Sequence, residues 1–170
     1  MKIELKKISF NEIMSEETNC FVADLYVDGK KIGYCKNDGH GGCTDIHGNR
    51  KDDFEVIAKA NEYCKTLPKE VMFGREFEQT LEDVIDNLLF EYLKAKDKAK
   101  AEKKMLKQQL TGILFGVPNG DSYSYINYKQ SLAVFKKESL QKAVTNVRTK
   151  YCTDGVEILN TNLKELGVVI

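Results

Sequence analysis

Apolar and polar residues alternate along the first ten positions. Ile3, Leu5, Ile8 and Phe10 keep a period of two with one slip of phase near Lys6-Lys7, which predicts a strand bulged at that point. After a polar connection, "NEIMSEETN", the run "CFVADLYVDGKKIGYCKN" predicts two strands around Asp28-Gly29, a dipeptide suited to a two-residue type I′ turn. That turn would set Val27 opposite Lys30, Leu25 opposite Ile32 and Ala23 opposite Tyr34. Phe21, Ala23, Leu25, Ile32 and Tyr34 would then share the core face, and Cys35 would lie on the other face across from Val22.

The pattern then changes to helical spacing. "DDFEVIAKANEYCKTL" predicts a helix capped by Asp52 or Asp53, with Glu55 in its first turn and an apolar stripe of Phe54, Ile57, Ala58 and Tyr63 or Cys64. From about Arg75 to Gln109 a longer helix is predicted. Phe77, Leu81, Val84, Ile85, Leu88, Leu89 and Tyr92 form its stripe, which stops at Leu93. "LTGILFGV" and "SYSYINY" around Pro118–Asp121 predict a second hairpin. "KKESLQKAVTNVRTKYC" predicts a helix ending near Asp154-Gly155, "VEILN" a short strand, and "LKELGVVI" an apolar tail docked on the core. The order β-β-β-α-α-β-β-α-β is α+β: a small antiparallel sheet built from hairpins, packed against two or three helices, one of them long. The expectation is one domain over 1–170, with 94–109 as a projecting helical extension; the long 75–109 helix is where copies could associate.

Composition narrows the class. The 170 residues suffice for a sizeable core, and 26 basic against 26 acidic residues leave no net charge to draw the whole protein to a polyanion. No run of 18 apolar residues occurs, and the first residues lack the apolar core of a signal peptide, so the expected setting is cytoplasmic, with no membrane partner. In that setting Cys20, Cys35, Cys43, Cys64 and Cys152 read as thiols rather than a disulfide framework.

The richest chemistry lies in "GYCKNDGHGGCTDIHGN", which holds both histidines. Cys35, His40, Cys43 and His47 are two thiols and two imidazoles at C-x4-H-x2-C-x3-H spacing. They amount to a tetrahedral zinc set in ligand type, with Asp38 and Asp45 able to orient the imidazoles, but the order matches no common zinc motif. The consecutive glycines would alternatively cradle a phosphate on backbone N–H groups, although no Gly-Lys-Ser/Thr follows. In the plainest reading Asn37, Asp38, Gly39, Gly41 and Gly42 supply positive φ to a turn. In a fourth, His40 and His47 are contact residues for a macromolecular partner. Cys43 beside either histidine is a nucleophile–base pair on paper only.

Two further features carry alternatives. Seven lysines from Lys94 to Lys107, against Asp97 and Glu102, read first as a solvated helix and otherwise as a phosphate-contacting surface. Tyr123 and Tyr125 would share one face of a strand, either packing over the core or stacking bases and anchoring a partner; Tyr128 completes that cluster. The pairs Asp52-Asp53 and Glu82-Asp83 read as helix-start charges.

The segment "FVADLYVDGKKIGYCKNDGHGG" resembles small uncharacterised proteins encoded by bacteriophages and other mobile elements. They share its aromatic-plus-small strand, "DGK" turn and "N-D-G-x-G-G" loop. The matching positions are Phe21, Ala23, Asp28, Gly29, Lys30, Asn37, Asp38, Gly39, Gly41 and Gly42, and the late "EILN" at Glu157–Asn160 fits the same layout; Cys35 and Cys43 stand outside the pattern. The resemblance implies a non-enzymatic cytosolic binding protein, an inhibitor or anti-defence factor that engages a host or defence macromolecule or sequesters a small ligand. The alternatives are a zinc- or Cys/His-dependent hydrolase at the 35–47 loop and a nucleic-acid binder acting through the lysine helix.

Overall fold

The structure is a computed structural model that describes residues 1–72 and 74–170, the Met72 side chain excepted. It is α+β, with antiparallel sheets of hairpin strands and three α-helices among the described residues. The chain falls into two compact units, 1–95 and 96–170. In place of the single expected core, each unit has its own. The physical reason lies in the sequence: every residue from 94 to 104 is exposed, so that stretch of helix carries no apolar stripe to continue one core into the other.

The first unit is a four-stranded sheet in the order β1 (Ile3–Phe10), β2 (Phe21–Val27), β3 (Lys30–Asn37), β4 (Asp45–Gly48), followed by α1 (Lys51–Cys64). A small hairpin, β5 (Glu70–Met72) and β6 (Arg75–Phe77), precedes the start of α2 (Leu81–Gln108). The expected bulge in β1 is present. Pairing with β2 shifts between Lys6 and Ser9, and Lys7 takes a φ of 51°. The turn also forms as expected, with Asp28 and Gly29 both at positive φ.

The strand register departs from expectation. Val27 does face Lys30, but a bulge between Leu25 and Tyr26 then shifts the pairing by one, so Leu25 faces Gly33 and Ala23 faces Cys35. A slip of one residue exchanges the faces of a strand. Tyr34 therefore lies on the face away from the core, partly exposed, and Cys35 joins Phe21, Ala23, Leu25 and Ile32 in the core. Ala60 and Cys64 of α1 and Leu81, Ile85 and Leu89 of α2 complete that core.

Helix limits also differ. The N-cap of α1 is Arg50, not Asp52 or Asp53; the Asp53 carboxylate at the third helical position accepts the Arg50 N–H at 2.9 Å. Phe54, expected in the stripe, is exposed. Helix α2 begins at Leu81 rather than Arg75, because Thr80 and Asp83 cap it reciprocally: the Thr80 N–H donates to Asp83 Oδ2 at 2.7 Å and the Asp83 N–H to Thr80 Oγ1 at 3.2 Å.

In the second unit β7 (Gly112–Gly116) lies between β8 (Tyr123–Asn127) and β9 (Glu157–Ile158), and α3 (Lys137–Tyr151) packs Leu140, Val144 and Val147 into a core with Ile113, Leu132, Leu163 and Val168. The tail docks as expected, with Leu163 and Val168 buried and the Val169 backbone paired through both its polar groups to the Gln141 side chain. Asn160, 4% exposed, ties this unit together. Its Oδ1 accepts the Leu114 N–H at 2.7 Å, and its Nδ2 donates to the Gly112 carbonyl at 3.0 Å and to Asn162 Oδ1 at 3.1 Å. An Asn160→Ala chain should lose about 1–3 kcal/mol, because buried partners on β7 are left unpaired. Amide exchange at Leu114 is the measurement, and unchanged protection there would refute the role of Asn160.

Candidate functional site

The glycine-rich loop is built from the inside. Asn37, the last residue of β3, is buried and uses both ends of its amide: Oδ1 accepts the Thr18 hydroxyl at 2.8 Å and the Gly39 N–H at 2.9 Å, while Nδ2 donates to the Gly42 carbonyl at 2.8 Å. The Gly39 carbonyl in turn accepts the N–H groups of Glu16, Glu17 and Thr18 at 3.0, 3.0 and 3.3 Å. Gly39 sits at φ 89°, and a Cβ there would lie 2.0 Å from the Met14 carbonyl oxygen. Gly41, at φ 85°, is favoured by its positive φ, and a Cβ there would meet only the movable carboxylate end of Glu17. Gly42 has open space where a Cβ would be, so nothing around it demands glycine. Asp38 is exposed, with Lys36 Nζ at 4.0 Å.

Thr44 fastens the far end of the loop to α2. Its N–H donates to Glu82 Oε1 at 2.8 Å and its hydroxyl to Asp86 Oδ1 at 2.8 Å. Between these attachments lies a cleft of about 400 Å³, walled by Glu17, Thr18 and Asn19 on one side, Asn37 and 41–44 on another, and Glu82 and Asp86 on the third. Glu17, Glu82 and Asp86 have no cationic partner among the described residues. Asp86 is exposed as a residue, yet desolvation of its carboxyl raises its pKa above the ordinary value. The Thr44 hydroxyl pulls it back, and the charges of Glu82 and Asp83 raise it again. The acidic residues thus have two roles: Asp83 caps the helix, as expected of a helix-start charge, whereas Glu82 and Asp86 face the cleft.

The four zinc candidates occupy four different settings. Cys35 is fully buried in the sheet core, its thiol 3.7 Å from the Ala23 carbonyl, and burial pushes its pKa up to about 12. Cys43 is exposed on the rim of the cleft. His40 is exposed, with Nδ1 3.2 Å from Glu16 Oε2. His47, on β4, stacks on Tyr34 with ring centroids 4.8 Å apart, and its Nε2 is buried without a partner among the described residues. Among the described residues no three His, Cys, Asp or Glu side chains are grouped to hold a metal ion. The one-residue shift in β3 is what separates Cys35 from the loop.

Tyr123 and Tyr125 occupy alternate positions of β8 with no register shift, so they share one face as expected, but they differ in exposure. Tyr123 is half-buried and donates its hydroxyl to Gln108 Oε1, while Tyr125 lies over Gly112, 40% exposed. Tyr128 meets the Phe135 ring edge-on. What the sequence pattern does not reveal is the contribution of Glu17, Glu82 and Asp86. The only signal was an acidic residue one helical turn after Glu82, on the same face.

Comparison with protein-family models, with curated proteins and with solved structures finds no match for the chain.

Two outcomes follow from this geometry. Gly39→Ala should destabilise the first unit by about 2 kcal/mol or more, since the new Cβ meets backbone and the residue must hold positive φ. Amide exchange at Thr18 and Gly39 measures it. In the native protein at pH 8, iodoacetamide should alkylate Cys43 and spare Cys35 until the chain is unfolded, as read by peptide mass spectrometry.

Proposed function

We propose that the protein is a non-enzymatic binding protein whose cleft beside 37–44 receives a positively charged group, carried by a host or defence macromolecule or by a small cationic ligand. The observation that carries this reading is the cleft itself, a concavity whose loop wall is fastened by hydrogen bonds at both ends and which is lined by three carboxylates that have no cationic partner among the described residues. A rigid site that already holds its charges in place loses little entropy on binding. A surface ion pair alone contributes little, so the loop's part is to bring several carboxylates to one ligand. The resemblance to small phage proteins agrees with a binding role.

The hydrolytic alternative is less well supported. It needs a metal or an activated thiolate at 35–47; Cys35 is held as a thiol in the core, and among the described residues no hydrogen bond joins the exposed Cys43 to His40, which meets Glu16, or to His47, which stacks on Tyr34.

Titration calorimetry with a tetra-arginine peptide tests the reading. Binding should weaken by about tenfold or more in Glu82→Gln/Asp86→Asn, and stay unchanged in Glu55→Gln/Glu62→Gln on α1. With the carboxyl pKa of Asp86 raised, that group takes up its proton on acidification before an ordinary carboxylate does. On acidification affinity should therefore begin to fall earlier than it would if Asp86 titrated as an ordinary aspartate, and Asp86→Asn should remove that early step. No binding, or equal binding by the paired variant, overturns the proposal.

A further inference from the structure

The zero net charge of the chain conceals a division. The first unit holds 13 basic and 19 acidic residues and the second holds 13 and 7, a net of −6 against +6. Six of the lysines in the second unit lie between 96 and 107 on α2, with only Asp97 and Glu102 among them. Every residue from 96 to 104 is exposed, so the helix is bare on all sides there. Among the described residues no carboxylate lies within ion-pair distance of Lys98, Lys100, Lys103, Lys104 or Lys107.

Helical geometry arranges these charges. Positions 96, 100, 103 and 107 recur at intervals of four, three and four, so they fall within a strip roughly 60° wide and about 16 Å long. Lys104 widens that strip on one side, and Glu102 lies well away from it around the helix.

We propose that this strip of α2 binds nucleic acid through the phosphate backbone, without sequence preference. Repeated, evenly spaced cations match a polymer with one charge per about 1.7 Å of duplex axis better than they match a single protein contact. Lysine is a compact point charge that tolerates many phosphate geometries, whereas arginine would supply the fork that reads guanine; the second unit has one arginine, Arg148. From 96 to 104 the only apolar side chains are Ala99 and Ala101; Met105, half-buried, and Leu106, exposed, follow only at the C-terminal end of the strip. A helix that lies in a membrane interface needs a bulky apolar face, and a protein hot spot needs an aromatic or aliphatic anchor, so neither partner suits this stretch. The site is independent of the acidic cleft.

Fluorescence anisotropy on the full chain, with a labelled 20-base-pair duplex of random sequence and a single strand of the same length, is the test. Binding should appear at 50 mM salt and fall with a log–log slope of about −3 to −4, as about four released counterions require. Lys100→Gln/Lys103→Gln/Lys107→Gln keeps helix propensity, which circular dichroism checks. This variant should lose about tenfold or more in affinity and bring the slope to about −1, while Lys136→Gln/Lys142→Gln should leave both unchanged. No binding at 50 mM salt, or an unchanged slope in the triple variant, overturns the proposal. So does light scattering that shows salt-sensitive self-association abolished by the triple variant without nucleic-acid binding, because the strip would then serve the acidic unit of a second copy. Binding to vesicles of anionic lipid without binding to either oligonucleotide overturns it equally.

Discussion

Three successive backbone N–H groups, from Glu16, Glu17 and Thr18, converge on the carbonyl of Gly39. That convergence requires the chain to turn at Gly39 with positive φ, and it requires Asn37 to hold the turn from beneath. The position of the cleft follows from it. If the 11–20 connection did not close on the loop, Glu17 would not stand opposite Glu82 and Asp86, and Gly41 would not reach the Thr18 hydroxyl, from which it lies 3.2 Å. A binding surface on a loop is only as well placed as the backbone pairing beneath it, and here the pairing is with another connection rather than with a strand.

Much of the fold was legible because short-range chemistry decided it. Asp28-Gly29 admits few turns, the phase slip at Lys6-Lys7 marks a bulge, and the 81–89 stripe has an unmistakable period. Other features depended on residues far apart. The bulge between Leu25 and Tyr26 has no local signature, yet it reverses the facing of Tyr34 and Cys35, and with Cys35 goes one of the four supposed zinc ligands. Strands β4, β5 and β6 are four residues or fewer, and every residue of β6 is exposed, so alternation had nothing to show. Of the candidate site, the glycine loop was visible as a pattern. Its acidic wall was not, because Glu82 and Asp86 meet the loop across about forty residues of chain.

Overall charge proved a poor guide for the same reason. Twenty-six positive and twenty-six negative groups cancel in a sum, but a fold places them, and here it places an excess of each sign in a different unit. Fields act over about a Debye length, roughly 8 Å at physiological salt, so a neighbouring molecule responds to the nearest surface rather than to the total. The acidic cleft belongs to the unit with the negative excess and the lysine strip to the unit with the positive excess.

The glycines also differ in how firmly they are held. A Cβ at Gly33 would lie 1.8 Å from the His47 carbonyl oxygen, and one at Gly39 would collide with Met14, whereas Gly42 has room for a side chain. Over evolutionary time, chains that keep this sheet must keep glycine at 33 and 39 for as long as β4 pairs with β3 and the 11–20 connection closes. Position 42, and the exposed His40 beside it, are free to drift with whatever the cleft is selected to hold. The lineage would then be marked by two spaced glycines with no chemistry of their own, and His40, at the centre of the loop that draws the eye, would be among its most changeable parts.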